Sequence, residues 1–167
     1  MYNIIDNFLS EDDFKTIVNI INEKNFNWHL IERANYNSKE GQFQFMHTIV
    51  DNGIFTSNHQ VICNIILKNY CKIIKKNVAV LRARVNLFLK TKKNEKLGLH
   101  KDFDNGKMQT LLLYLEDSNG YTEFKNKKKI ESKKNRLLIF NSAILHQTVT
   151  QTDVFFRKNI NINFFEE

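Results

Sequence analysis

The sequence contains no proline, only five glycines and only two cysteines among its 167 residues. Cys63 and Cys71 lie eight residues apart within one predicted helix. That separation is too long for a disulfide, so a disulfide-stapled fold is excluded. Both side chains are expected to be core thiols in a reducing compartment. The scarcity of proline and glycine beside abundant Lys, Asn, Ile and Phe indicates an AT-rich coding sequence and carries no mechanism.

Long apolar segments are also missing from the sequence. No run of about 18 or more apolar residues is present, so no membrane-spanning helix is predicted. Residues 1–6 lack the basic-then-apolar pattern of a secretory signal. We therefore expect a soluble, cytoplasmic protein with no membrane partner.

The length and the apolar content suit a single domain, residues 1–167. Fourteen Phe residues and a hydrophobic content of 42% can fill one core without disulfides or metal staples. Ser10, followed by three acidic residues, is a good N-cap for a first helix. A second helix is predicted over residues 57–75, and strands are predicted over residues 28–31 and 43–50. The polar loop 35–41 is a candidate border of a substrate entrance.

The net charge of +7 makes an acidic partner such as nucleic acid worth weighing. The basic residues cluster before residue 100 and around a predicted turn near residue 130: Lys90, Lys92, Lys93 and Lys96, then Lys125, Lys127, Lys128, Lys129, Lys133, Lys134 and Arg136. Lys-rich turns are ordinary on solvated surfaces. Aromatic residues that could stack on bases are not clearly interleaved with them. A solvated surface is the favoured interpretation, and nucleic-acid binding is the alternative.

Four residues carry the chemistry that the sequence suggests: His100, Asp102, His146 and Arg157. A ferrous ion that activates dioxygen is typically held by two imidazoles and one carboxylate, which leaves other positions open. On an extended strand residues i and i+2 point to the same side, so His100 and Asp102 can reach one metal. His146 lies 44 residues after Asp102, far enough for a strand that returns beside the first.

Arg157 follows His146 by 11 residues and is a plausible anchor for a dicarboxylate. Its guanidinium can form two parallel hydrogen bonds to one carboxylate. The other three histidines, His29, His47 and His59, have no carboxylate at metal-ligand spacing. They are interpreted as structural.

Short apolar strands surround these four residues. They are predicted over residues 81–89, 108–115, 120–124, 136–140, 146–150 and 154–164. Several short strands at nearly regular spacing are typical of a double-sheet jelly roll. Residues 1–78 are then a helical support region, and residues 79–167 form the jelly-roll core that carries the site.

The last predicted strand has two distinct faces. One face carries Arg157, Asn159, Asn161 and Asn163, and the other carries Lys158, Ile160, Ile162 and Phe164. The polar row could face solvent or line a polar pocket. The pocket is favoured because the anchor Arg157 belongs to that row.

Taken together, these segments resemble the 2-oxoglutarate and Fe(II)-dependent dioxygenase superfamily. The nearest branch is the prolyl 4-hydroxylase-like one, with its small single-domain members in marine bacteriophages. The resemblance covers residues 80–164 and rests on six motifs: LHKD at 99–102, TLLLYL at 110–115, GYTEF at 120–124, NRLLIF at 135–140, HQTVT at 146–150 and RKNININ at 157–163.

The resemblance implies a double-stranded β-helix, backed by two N-terminal helices, that uses Fe(II), 2-oxoglutarate and O2. His100, Asp102 and His146 would be both the metal ligands and the catalytic centre. Arg157 would pair with the distal carboxylate of 2-oxoglutarate, with further contacts from Tyr114, Asn86 and Asn159. Asn159 and Asn161 depart from the pattern, since relatives often place a hydroxyl residue beside the cosubstrate. Gly120 is interpreted as a turn glycine.

The implied activity is hydroxylation of a C–H bond in a peptide (prolyl) or amino-acid substrate, with release of succinate and CO2. The host cytoplasm would be its location if a phage encodes it. Two alternatives stay open: a dioxygenase that oxidises nucleic acid, and a non-catalytic jelly-roll module that only binds a ligand or metal.

Overall fold

The computed structural model of the protein describes residues 2–167, which form two antiparallel sheets and two helices. The mainly β architecture predicted from the sequence is confirmed. The elements in chain order are β1 (Tyr2–Ile5), α1 (Glu11–Ile21), β2 (His29–Ile31), β3 (Gln44–Asp51), β4 (Ile54–Phe55), α2 (Gln60–Ile74), β5 (Val78–Leu89), β6 (Gln109–Tyr114), β7 (Ser118–Phe124), β8 (Lys129–Ser132), β9 (Arg136–Asn141), β10 (His146–Val149) and β11 (Phe156–Glu166).

The larger sheet has the strand order β1-β9-β6-β11-β5-β3-β2, with β4 paired to β3. The smaller sheet has the order β10-β7-β8. Strands from the first 78 residues enter the larger sheet at two places, because β1 pairs with β9 and β3 pairs with β5. The N-terminal region therefore contributes strands as well as both helices. Strands β1 and β4 are too short to show the alternation of apolar and polar residues that predicts a strand from sequence.

Strand β11 occupies the middle of the larger sheet, between β5 and β6. Its alternate residues point to opposite faces, as in any pleated strand. Ile160, Ile162 and Phe164 are buried in a core that includes Ile17 of α1 and Ile66 of α2. The apolar face of β11 therefore packs toward the helices, as the sequence predicts.

Both helices bury one apolar face, but only α1 begins at the predicted cap. The Ser10 hydroxyl accepts a hydrogen bond from the Asp13 backbone N–H at 3.2 Å and caps α1. Helix α2 is shorter than predicted and begins at Gln60. Cys63 is buried and Cys71 is half-buried, and both are free thiols. Neither helix in residues 2–167 has the length and apolarity required to cross a membrane.

The space between the two sheets has a smaller apolar cluster on one side. Its members come from both sheets: Leu112, Tyr114, Phe124, Ile130, Leu138 and Phe140. Beside this cluster the facing surfaces become polar. Of the residues predicted to form the site, Tyr114 belongs to this cluster, and the metal ligands lie in the polar part.

Candidate metal and cosubstrate site

The structure brings the three predicted metal ligands together. One ligand atom from each of His100, Asp102 and His146 lies within 4.8 Å of the others. His146 Nε2 is 3.9 Å from Asp102 Oδ2, and the two imidazole centroids are 4.5 Å apart. Among residues 2–167 this is the one cluster of three or more His, Cys, Asp or Glu side chains that could hold a metal ion.

Backbone contacts position the three side chains, although the strand expected around His100 is reduced to a single bridge. His100 N–H donates to His146 O at 2.8 Å, and His146 N–H donates to His100 O at 3.0 Å. Asp102 follows in an irregular segment, where its N–H donates to Ser142 O at 3.0 Å. The pairing of the chain segments, rather than a continuous strand, therefore fixes the positions of the three ligands.

Each metal-site imidazole has one nitrogen engaged and one available. His100 Nδ1 lies 3.1 Å from Gly98 O, and His146 Nδ1 lies 2.9 Å from Ile144 O. A carbonyl oxygen only accepts hydrogen bonds, so both Nδ1 atoms carry the proton and both Nε2 atoms present a lone pair. His47 differs, because Asn27 O and the Ser57 hydroxyl engage both of its nitrogens at 2.7 Å.

The Asp102 carboxylate is held by four side chains that the sequence did not single out as its partners. Thr110 Oγ1 donates to it at 2.8 Å, Asn161 Nδ2 at 3.2 Å, Asn163 Nδ2 at 3.3 Å and Arg82 Nη2 at 3.3 Å. Thr110, Asn163 and Arg82 stand opposite one another on β6, β11 and β5. One row across the larger sheet therefore orients the carboxylate.

Electrostatics favour the metal-binding form of Asp102 and of His100. Burial alone would raise the pKa of Asp102, but His146, Arg82, His100 and the Thr110 hydrogen bond together hold the pKa below its ordinary value. Burial, with the neighbouring His146, lowers the pKa of His100, which favours the neutral imidazole. Two neutral imidazoles and one carboxylate are the donor set that suits Fe(II). The residues present therefore fit the metal that the sequence predicts.

Arg157 is fully buried and lacks an acidic partner. Its Nε donates to Gln151 Oε1 at 3.2 Å, its Nη2 donates to Val149 O at 3.1 Å, and its guanidinium lies 4.9 Å from the ring centroid of Phe88. Among residues 2–167 no carboxylate lies within the 4.0 Å of an ion pair. Burial lowers the pKa of Arg157 to about 10. A buried cation without a counter-ion is costly, so this position is suited to receive an anion.

Tyr114, Asn159 and Asn86 form a second row across the same face of the sheet. Tyr114 is paired with Asn159, and Asn159 is paired with Asn86. The buried Tyr114 hydroxyl donates to Thr122 Oγ1 at 2.7 Å, and burial raises the Tyr114 pKa to about 12. Asn86 Nδ2 donates to Asn159 Oδ1 at 3.0 Å. All the predicted cosubstrate-binding residues therefore lie on the face that carries Arg157.

A cavity of about 240 Å³ connects the metal ligands with this second row. His100, Asp102 and His146 line it together with Asn86 and Asn159. Phe88 and Thr122 also line it, and they contact Arg157 and Tyr114 respectively. Two residues of the polar face of β11, Asn159 and Asn161, therefore line a pocket, whereas Arg157 and Asn163 are not among its lining residues.

The polar loop predicted over residues 35–41 borders this cavity. Its side chains fasten it to the segment before His100: Asn35 Nδ2 and Ser38 Oγ each donate to Leu97 O at 2.6 Å. Tyr36 lies at the mouth, edge-on to the His100 ring at a centroid distance of 6.4 Å.

Gly120 does not serve as a turn residue, so that interpretation was wrong. It lies within β7, and its φ is outside the left-handed region that favours glycine. The glycine is required for a different reason, because Arg157 packs directly against its Cα. Sequence reasoning missed this contact because β7 and β11 belong to different sheets.

Comparison with known proteins rests on structure, because no protein-family model and no curated protein sequence matches the chain. A 2OG-Fe(II) oxygenase family oxidoreductase from Burkholderia pseudomallei superposes with a TM-score of 0.71 at 9% identity, over 98% of this chain and 85% of that chain. The chain has the fold of the 2-oxoglutarate and Fe(II)-dependent oxygenases.

Prolyl hydroxylases are among the structures with this oxygenase fold. The viral collagen prolyl hydroxylase of Paramecium bursaria Chlorella virus-1 matches with a TM-score of 0.65 at 18% identity, over 98% of this chain and 94% of that chain. A Trichoplax adhaerens prolyl hydroxylase, solved with a hypoxia inducible factor peptide fragment, matches with a TM-score of 0.66 at 16% identity, over 99% and 83%. The predicted jelly-roll class is confirmed at the level of the fold.

Proposed function

We propose that the protein is an Fe(II)- and 2-oxoglutarate-dependent dioxygenase that hydroxylates a C–H bond of a peptide or amino-acid substrate. In the balanced reaction, substrate C–H, O2 and 2-oxoglutarate give substrate C–OH, succinate and CO2. One oxygen atom enters the new hydroxyl group and the other enters succinate. The observation that carries the proposal is the buried guanidinium of Arg157, which has no acidic partner and packs on Phe88 in the wall of a cavity lined by two imidazoles and a carboxylate.

His100, Asp102 and His146 would hold the iron. The bound iron supplies the oxidising power, and the protein supplies binding, orientation and electrostatics. Gly98 O and Ile144 O keep the two imidazoles in the tautomer that leaves Nε2 free. The row containing Thr110, Asn163 and Arg82 keeps the third ligand in place.

Arg157 would pair with the distal carboxylate of 2-oxoglutarate. Such a contact would supply the anion that the buried guanidinium lacks. The phenol of Tyr114 stays protonated at neutral pH, because burial raises its pKa to about 12. Its one proton is donated to Thr122 Oγ1, so it would donate to the same carboxylate only if Thr122 becomes the donor in that pair. Asn159 and Asn86 line the cavity and would contact the remainder of the cosubstrate. Peptide substrates are suggested by the prolyl hydroxylases that share the fold.

Anaerobic reconstitution with Fe(II) and 2-oxoglutarate, followed by admission of oxygen and assay of succinate, tests the proposal. The expected result is succinate formation that disappears in His146→Ala, His100→Ala and Asp102→Ala. Retained iron-dependent turnover in those variants would refute the ligand assignment. Failure of the wild-type protein to bind both iron and 2-oxoglutarate would favour a non-catalytic binding module.

Salt dependence of DNA and RNA binding separates the nucleic-acid alternative from the proposal. The surface lysines would give an affinity that falls steeply with salt if a nucleic acid were the substrate. Absence of binding at low salt would remove that alternative.

A further inference from the structure

Two buried polar atoms at the cavity wall have no hydrogen-bond partner among residues 2–167. They are Nε of Arg84, on β5, and Oδ1 of Asn161, on β11. The two residues are paired across the neighbouring strands, and both line the cavity. Paired residues of an antiparallel sheet have Cβ atoms only about 5 Å apart. An unused donor therefore lies beside an unused acceptor.

The metal and cosubstrate contacts described above do not use these atoms. Arg82 forms the ion pair with Asp102 at 3.3 Å, and Arg157 is assigned to 2-oxoglutarate. Arg84 has no carboxylate within ion-pair distance among the described residues. A native protein rarely leaves buried polar atoms unpaired without a functional reason.

The chemistry of the pair defines its ligand. A guanidinium donates two parallel hydrogen bonds to a carboxylate, and an amide oxygen accepts a hydrogen bond from an N–H donor. A carboxylate next to an ammonium group is the common part of every free α-amino acid. Asn161 also donates to Asp102 through Nδ2 at 3.2 Å, so a molecule held by its Oδ1 lies beside the metal ligands.

The size and charge of the cavity agree with a small, carboxylate-bearing substrate. Its volume of about 240 Å³ is below the range of roughly 300–1,000 Å³ that drug-sized ligands occupy. Arg82, Arg84 and Lys101 line it, and Asp102 is its one acidic residue. Burial lowers the pKa of Arg84, which indicates a desolvated cation that would gain from a counter-ion.

We propose that the primary substrate is a free α-amino acid, with its carboxylate paired to Arg84 and its ammonium group donating to Asn161 Oδ1. This inference rests on the proposed dioxygenase function and names the substrate class. The side chain of the amino acid is then the part exposed to oxidation at the metal. A residue inside a peptide has no free α-carboxylate and would leave Arg84 unpaired.

Stimulation of succinate formation by each proteinogenic L-α-amino acid and by its α-carboxamide tests the inference. At least one acid should stimulate turnover, and its amide should require a concentration roughly ten- to a hundredfold higher, since a charged hydrogen bond is lost. Arg84→Gln should abolish the preference for the acid, and Arg84→Lys should retain part of it. Lys15→Gln, on the exposed surface of α1, removes the same charge and should leave the preference intact.

Thermal stability and cofactor binding make the outcomes distinguishable. Arg84→Gln should keep or raise the melting temperature, because it removes an uncompensated cation, and should bind Fe(II) and 2-oxoglutarate as the wild type does. If wild-type protein binds both but no amino acid stimulates it, or the amide works as well as the acid, the substrate inference is overturned alone. If the wild type binds neither Fe(II) nor 2-oxoglutarate, the proposed function fails and the substrate inference fails with it.

Discussion

Gly120 and Arg157 touch across the interior, so closely that no side chain fits between them. A Cβ atom on Gly120 would lie 2.7 Å from Nε and 3.1 Å from Cζ of Arg157. Real Cβ atoms essentially never approach a neighbour more closely than 3.0 Å, so the 2.7 Å contact requires something to shift. The absence of a side chain at Gly120 therefore leaves room for the buried guanidinium of Arg157.

Gly120→Ala should weaken 2-oxoglutarate binding more than it weakens the fold. The guanidinium is the mobile end of a long side chain, so it should shift while the strands stay in place. Overpacking of this kind costs about 1–3 kcal/mol, and the lower end is expected here. The measurement is the apparent dissociation constant for 2-oxoglutarate beside the free energy of unfolding.

Gly106→Ala is the matched control for that change. A Cβ at Gly106 meets nothing within 4 Å, so both measured quantities should stay at wild-type values. Equal 2-oxoglutarate affinity in Gly120→Ala and Gly106→Ala would show that the position of Arg157 does not govern cosubstrate binding.

Arg157→Lys should raise the concentration of 2-oxoglutarate required for turnover by roughly tenfold or more. Lysine keeps a positive charge but replaces a planar fork by a point charge, and it also loses the contacts to Gln151 and Val149. Titration with 2-oxoglutarate at saturating iron measures the effect. An unchanged requirement would refute the proposed role of Arg157, while unchanged iron binding is the expected internal control.

The sequence predicted the parts of the site that depend on local periodicity. The two faces of β11 follow from strict alternation, so Asn159 and Asn161 could be placed in a pocket before any pairing was known. The partners of Asp102 could not be found this way. Thr110 and Arg82 reach the carboxylate only through the pairing of β6, β11 and β5, which sequence patterns alone do not specify. Gly120 was misread for the same reason.

Thr110→Val should weaken iron binding by roughly ten- to a hundredfold, as expected for the loss of a residue that orients a metal ligand. Valine keeps the shape of threonine but cannot donate the 2.8 Å hydrogen bond to Asp102. Fe(II) affinity, measured anaerobically without 2-oxoglutarate, is the direct readout.

Thr122→Val is the matched control for the iron measurement. The Thr122 hydroxyl accepts from Tyr114 and does not contact Asp102, so iron affinity should be unchanged and 2-oxoglutarate binding should weaken instead. Equal loss of iron affinity in both variants would mean that general destabilisation, rather than the orientation of Asp102, is responsible.

Asp6 and Arg136 join the end of β1 to the start of β9 and should contribute a pH-dependent part of the stability. Arg136 donates to both carboxylate oxygens, Nε to Oδ1 at 2.7 Å and Nη2 to Oδ2 at 3.0 Å. These hydrogen bonds, assisted by Lys133, lower the pKa of Asp6 to about 2. Since the folded protein holds the carboxyl in its charged form, the contribution is full above the ordinary pKa of 3.8 and is lost as the pH falls through about 2.

Asp6→Asn should therefore lower the free energy of unfolding at neutral pH. Its difference from the wild type should become smaller as the pH falls into the acid range. The Asp6 side chain is 38% exposed, so solvent screening limits the loss to about 0.5–1 kcal/mol. The coupling energy between Asp6 and Arg136 is measured by urea unfolding at pH 7 and at steps below pH 4. The four proteins compared are the wild type, Asp6→Asn, Arg136→Gln and the double variant. A coupling that stays constant between pH 7 and pH 2 would contradict the assignment, because protonation of Asp6 must remove the charge that Arg136 stabilises.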